Sequence, residues 1–387
     1  MAKQAYVYSG TEWVPLASEV TNLSSYQTKA LNQFPYRNLV INGDMQVAQR
    51  GTSTASITTT GYYTADRWSQ SISSLGTWTQ SVENDAPTGS GFRKSLKMLC
   101  TTADASPAST DYTFLTQKFE GQNLQQIKKG TASAEQLTVS FWVKANVTGT
   151  YIVELEDIDN SRQVSKSYTV NASATWEYKT LTFPADTTGA FDNDNAASLE
   201  LILWLGAGSG VTSGTLNTTW NSVTAANRVV GQTNLASATN NYWQITGVQL
   251  EVGDTATPFE FKPYEQDLKE CQRYFLRHYP QRMLVHARDS GLWFWQFQYP
   301  VEMRGAPTLS SNVASGANSG APSTNGQVTM YSNAWVTTNG SSVAMTTDGL
   351  GQLICVGYLS GFNTPSLGLV ASLLMDSYNY LQFSAEL

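Results

Sequence analysis

The chain has 387 residues, enough for two or three domains rather than one ordinary core. Its net charge of −7 and the lack of any basic stripe argue against a nucleic-acid partner. Charged residues make up 14 %, below the usual share of about 25 %, and aromatics 11 %, so the chain reads as β-rich with a neutral Thr/Ser/Asn/Gln surface suited to glycans or to packing between subunits.

Residues 1–37 read as a small anchoring unit. AYVYSGTEWVPLA has two short alternating strands around Ser9-Gly10-Thr11, the pattern of a hairpin. Val20, Leu23, Tyr26, Ala30 and Phe34 come next at spacings that allow a short helix, ended by Pro35. A unit this small needs something larger to pack on.

Residues 38–263 form the body. Segments such as DRWSQSI, KSLKMLC, YTFLTQKFE, LTVSFWVKA, TYIVELED, WEYKTLTFP, LELILWL and YWQITGVQLEV alternate and are separated by Thr-, Gly-, Asn- and Asp-rich turns. That spacing predicts an all-β sandwich or jelly roll. In LTVSFWVKA, Leu137, Val139, Phe141 and Val143 share one face, and Trp142 points the other way and needs its own cover. Arg67 and Trp68 are expected on opposite faces of a strand, with Trp68 in the core, and residues 206–215 read as a flexible loop.

Residues 264–387 read as a connector helix and a second, small β domain. PYEQDLKECQRYFLRH places Leu268, Cys271 and Phe275 on one helical stripe. Next come two strands joined at Ser290-Gly291, a low-complexity loop at 311–327 and further strands to the end of the chain. Cys100, Cys271 and Cys355 are far apart and form no CxxC pair, so they read as buried thiols of a reducing compartment. The first residues lack the apolar core of a signal peptide, and the longest apolar run, Leu199 to Gly206, is too short to span a bilayer. Membrane insertion is not expected.

Few residues suggest catalysis. Glu154 and Glu156 share a strand face and could serve as paired acids, but they read as a solvated face running into a turn. Asp192 to Asn195 is an acidic turn without EF-hand spacing. The two histidines, His278 and His286, do not have metal-ligand spacing, and no G-x-S-x-G elbow occurs. The Asn-x-Ser/Thr matches read as chance in such a chain. Aromatic rings are the functional candidates, since they can stack on the C–H faces of sugars. Trp78, Trp176, Trp204, Trp220, Trp243, Trp293 and Trp295 are the set, with Trp220, Trp78, Trp293 and Trp295 chosen as glycan-binding. Trp220 stands out because NTTWNS is polar throughout, which predicts an exposed ring.

NLVINGDMQVAQRG followed by YYTADRW resembles the opening of a domain found in bacteriophage tail-fibre and related virion proteins. LTVSFWVKA is similar to that family's middle strand, and YWQITGVQLEVGDTATPFEFKPYEQDLKECQRYF to its close. YPVEMRGAPTL and the final FSAEL are similar to segments that come after this domain in such proteins. The resemblance implies a jelly roll like that of carbohydrate-binding modules, assembled as a homotrimer. It implies a virion protein made in the host cytoplasm, attached through residues 1–37 to tail or head, and binding a host cell-surface polysaccharide without catalysis. A capsid-decoration or tail-assembly role is the alternative, and a polysaccharide depolymerase a lesser one. The resemblance carries over no catalytic residues and no cofactor beyond a structural calcium, for which Asp44 and Glu251 are the matching carboxylates. A metal-free, hydrogen-bonded turn is the competing reading there.

Overall fold

The computed structural model describes residues 36–279, 295–310 and 380–387 with their side chains, and elsewhere only the backbone of individual strands. β1 (Tyr6–Tyr8) and β2 (Trp13–Pro15) pair antiparallel, as the hairpin pattern predicts. The helix expected after them lies outside the described residues.

The body strands are β3 (Ser53–Ile57), β4 (Gly61–Tyr62), β5 (Ser69–Ser73), β6 (Thr77–Glu83), β7 (Ser95–Thr102), β8 (Tyr112–Glu120), β9 (Leu137–Ala145), β10 (Gly149–Asp157), β11 (Arg162–Val170), β12 (Glu177–Phe183), β13 (Ala197–Ala207), β14 (Asn221–Ser222) and β15 (Tyr242–Val252). They form two sheets, in the orders β14-β11-β10-β13-β8-β5-β4 and β12-β9-β15-β7-β6-β3. The chain passes repeatedly from one sheet to the other, which wraps it into a jelly-roll β-sandwich. Alternation places the core as expected. Leu137, Val139, Phe141 and Val143 of β9 pack in one buried cluster with Tyr151, Val153 and Leu155 of β10 and with Trp68, Trp78 and Trp243.

The outer face of the first sheet is covered. Residues 208–235, with the one-turn helix α1 (Ser209–Thr212), lie over it and bury Ile152, Ile202, Trp204 and Val229. The segment expected as a flexible loop is thus part of a fitted cover. The Gly208 N–H donates to the Asp111 carbonyl at 2.7 Å, and a Cβ on Gly208 would run into the Ala108 backbone.

Helix α2 (Tyr264–Gln272) ends earlier than its apolar spacing predicts. Phe275 opens β16 (Phe275–His278) instead, which pairs with β25 (Leu381–Ser384). β19 (Thr308–Ser311) completes this three-stranded sheet. Strands β17 (Arg282–Asp289), β18 (Leu292–Gln298), β20 (Val328–Tyr331), β21 (Trp335–Val336), β22 (Ala344–Leu350), β23 (Ile354–Ser360) and β24 (Val370–Met375) form a separate seven-stranded sheet between β16 and β25. The chain then returns to the sandwich, where the Ala385 N–H donates to the Tyr274 carbonyl at 2.8 Å.

Candidate functional site

The turn at Asn42-Gly43-Asp44 is the centre of a buried joint. Asn42 and Met45 take the left-handed conformation there (φ 57° and 61°). The buried Asn42 side chain donates to the carbonyls of Val47 and Asp66 at 2.8 and 3.0 Å and accepts from the Val47 N–H at 2.9 Å. Trp68 is in the core, and its indole N–H reaches the Asn42 carbonyl at 3.1 Å. Glycine is required at 43 for space: a Cβ would meet the Val248 carbonyl oxygen of β15 and the Phe259 ring.

Arg67 departs from the expected alternation. It sits in the turn before β5 with φ 72° and is as buried as Trp68. It pairs with Glu386, donates to the Lys118 carbonyl at 2.7 Å and lies 3.5 Å from the Tyr274 ring centroid. Arg50 holds the other Glu386 oxygen at 3.1 Å and stacks on Phe275 at 3.4 Å. Glu120 accepts from Arg273 at 2.8 and 2.7 Å and from the Tyr274 hydroxyl at 2.5 Å. The signature segments around 42, 66, 248, 267–274 and 386 therefore meet in space. They join the sandwich, α2 and the last strand, and Arg50, Arg67 and Arg273 in the joint are each paired with a carboxylate.

Asp44 and Glu251 do not form a calcium site together. Glu251 is occupied by hydrogen bonds from Gln249 Nε2 at 2.9 Å, the Thr257 N–H at 2.8 Å and the Thr257 hydroxyl at 2.6 Å. Asp44 instead lines a small polar void with Asp267, Glu260 and Lys262. A lysine stands among these three carboxylates, and both Glu260 oxygens already accept from the Tyr36 and Asn38 N–H groups, a poor fit to a cation needing about six to eight oxygen ligands. Among the described residues, no group of three or more His, Cys, Asp or Glu could hold a metal ion. Burial, then the charge of Asp44, pushes the Asp267 carboxyl up to about 6.

That shift has a pH consequence. A carboxyl raised in the folded state from 3.8 contributes stability that is complete below pH 3.8 and lost as pH rises through about 6. Asp267→Asn keeps an oxygen for the Asn42 N–H, which donates at 3.2 Å, and carries no charge. The variant is expected to be more stable than the parent at pH 8 by about 1–3 kcal/mol, with the gap closing below pH 4. Chemical denaturation at several pH values measures it, and a gap that does not change with pH refutes it.

Two of the four chosen tryptophans, Trp78 and Trp295, do not reach the surface. Trp78 is wholly buried, with its N–H on the Leu75 carbonyl at 2.7 Å, and Trp295 is wholly buried in the C-terminal region. Neither can stack on a ligand. Trp220 is packed against the core and donates to the Pro184 carbonyl at 2.8 Å, with the Lys129 ammonium 5.3 Å from its ring. The ring is half-buried, not fully exposed as the polar NTTWNS context alone would suggest. Trp293 lies on β18, and its side chain is outside the described residues.

The paired carboxylates are not a solvated face. Glu154 is completely buried, accepts from Trp204 Nε1 at 2.8 Å and pairs with Arg228 at 2.9 Å, and Arg228 also holds Glu156. Burial pushes Glu154 up to about 7 against the opposing pull of Arg228. Glu154 is closed off from solvent, and Glu156 remains partly exposed.

The outer face of the second sheet is different. Trp142 of β9 stands opposite Tyr178 of β12, with ring centroids 5.4 Å apart, and Tyr178 is 45 % exposed. Half-buried Trp176 lies next to them, with the Lys144 ammonium 5.2 Å from its ring. Asp85, from the loop after β6, reaches onto this face. It accepts from Trp176 Nε1 at 3.3 Å, from Gln244 Nε2 at 3.2 Å and from Lys144. Burial works against its charge, but these donors outweigh it and hold the carboxyl below its ordinary value. On the other flank, Lys97 lies 5.0 Å from the Tyr242 ring. Aromatic faces beside fixed donors and acceptors are what a polyhydroxylated ligand needs. The outward Trp142 was the sequence signal for this face. Tyr178, Lys144, Gln244 and Asp85 were missed because their meeting depends on strand register and a distant loop.

No family model matches the chain, and no curated protein matches it. Among solved structures it is similar to the enzymatically active domain of tailspike protein 4 of bacteriophage CBA120, at 16 % identity and a TM-score of 0.31 over 57 % of this chain and 22 % of that one. It thus spans about a fifth of that tailspike. It is also similar to the TmCBM61 module in complex with β-1,4-galactotriose (10 % identity, TM-score 0.29, 56 % of this chain and 99 % of that one). A third is the family 11 carbohydrate-binding module of Clostridium thermocellum Lic26A-Cel5E (9 %, 0.26, 56 % and 94 %). Likeness this distant adds nothing about ligands. The jelly-roll sandwich is established by the strand order of the chain itself.

Proposed function

We propose that this chain is a non-catalytic virion fibre or spike subunit that binds a host cell-surface glycan through the outer face of its second sheet. The observation carrying the binding reading is the Trp142–Tyr178 pair, partly open to solvent beside the Asp85–Lys144–Gln244 cluster. The fibre reading rests on the resemblance of its signature segments to tail-fibre proteins. The non-catalytic reading is supported by Glu154 and Glu156, which share one arginine as ion-pair partner, with Glu154 fully buried. A homotrimer attached through residues 1–37 would carry three such faces, turning weak sites into firm attachment.

The test is a glycan array and a host-polysaccharide binding assay on the full chain. Trp142→Ala and Tyr178→Ala are each expected to weaken binding roughly tenfold, as loss of a stacking ring costs about 1–1.5 kcal/mol. The circular dichroism spectrum should be unchanged. Binding that survives both substitutions, or no binding to any host polysaccharide, overturns the reading. Release of reducing sugar in the same samples would favour a depolymerase instead.

A further inference from the structure

A cleft of about 420 Å³ opens where residues 36–41, the turns at 121–127 and α2 meet. None of its lining residues belongs to the Trp142–Tyr178 face. Leu39, Ile41 and Tyr274 give it an apolar base, and Tyr36, 66 % exposed, stands at its rim. The charged groups beside it are already matched, Lys262 with Glu270 at 2.7 Å and Arg273 with Glu120 at 2.7 Å. An anionic ligand would therefore find no spare cation there.

The remaining lining is amide. Gln122 and Gln125 have their NH₂ ends directed to protein oxygens, to Glu120 at 2.6 Å and to the Gly121 and Asp192 carbonyls at 3.0 and 3.1 Å. That orients both amides within the turns. Asn123 and Gln126 are exposed and line the same cleft. Primary amides carry a donor and an acceptor side by side, the pairing that adjacent sugar hydroxyls present. With an aromatic rim, an apolar base and a volume inside the range of small-ligand sites, the lining matches a small neutral polyol.

We infer that this cleft is a second saccharide site, for a neutral hexose or N-acetylhexosamine unit, independent of the sheet face. Two sites on each subunit would let one glycan chain, or two neighbouring ones, be held at separate points.

The experiment is saturation-transfer NMR on the full chain with glucose, galactose, mannose and N-acetylglucosamine as probes. It compares the parent, Trp142→Ala, and the double variant Tyr36→Ala/Gln126→Ala. At least one probe is expected to keep its signal in Trp142→Ala and to lose it at least fivefold in the double variant. Circular dichroism and thermal melts should show both variants folded, since all three side chains are at least partly exposed. Loss of all probe signal in Trp142→Ala, or full signal in the double variant, overturns the second site. The sheet face is judged separately, by the polysaccharide binding of Trp142→Ala.

Discussion

Replacing Arg67 by Met is expected to cost about 3–5 kcal/mol, because it leaves a buried carboxylate without its closest partner. Arg67 is 1 % exposed and ties Glu386 to the Lys118 carbonyl and the Tyr274 ring. Arg50 still holds Glu386 from the other side, which favours the lower end of the range. Adding Glu386→Gln to Arg67→Met should recover part of the loss, since the stranded charge is then gone. The conservative Arg67→Lys should recover little, because an ammonium cannot reach the carboxylate, a carbonyl and a ring face in the way a planar guanidinium does. Urea unfolding, with the m-value compared across variants, measures all three. A loss below 1 kcal/mol in Arg67→Met would show that the joint does not hold the last strand to the sandwich.

Gly43→Ala is expected to be comparably severe, about 3 kcal/mol or more, for a steric reason. The added Cβ would press on the Val248 carbonyl, and the Val248 N–H donates to the Gly43 carbonyl at 2.9 Å, so the two backbones cannot separate without losing that bond. Gly51→Ala is the informative control. Its φ of 123° strains any side chain, but nothing lies within 4 Å of its Cβ position. If the space at Gly43 decides the outcome, Gly43→Ala must lower the melting temperature well beyond Gly51→Ala. Equal effects would assign the cost to backbone conformation in general.

The two variants also mark how far local reading carries. A glycine between Asn42 and Asp44 suggests a residue needed for positive φ, and the turn does contain two left-handed residues, but they are its neighbours. The glycine answers to β15, some 200 residues further on. The charged pair Arg67 and Glu386 is 319 residues apart, and nothing in ADRW announces its partner. Trp220 is half-buried for the same reason: its sequence neighbours are polar, but its ring packs against the core.

Along each strand, the side-chain period of two comes from the pleat alone. The sequence by itself therefore determined that the chain is all-β, that Leu137, Val139, Phe141 and Val143 face one way, and that Trp142 faces the other. Which outward residues stay open was decided only by tertiary structure. One sheet is covered by residues 208–235, and the other keeps Tyr178 in solvent and receives Asp85 from a neighbouring loop. Cover is a contact between segments remote in sequence, set by register and loop path, and no local pattern encodes it.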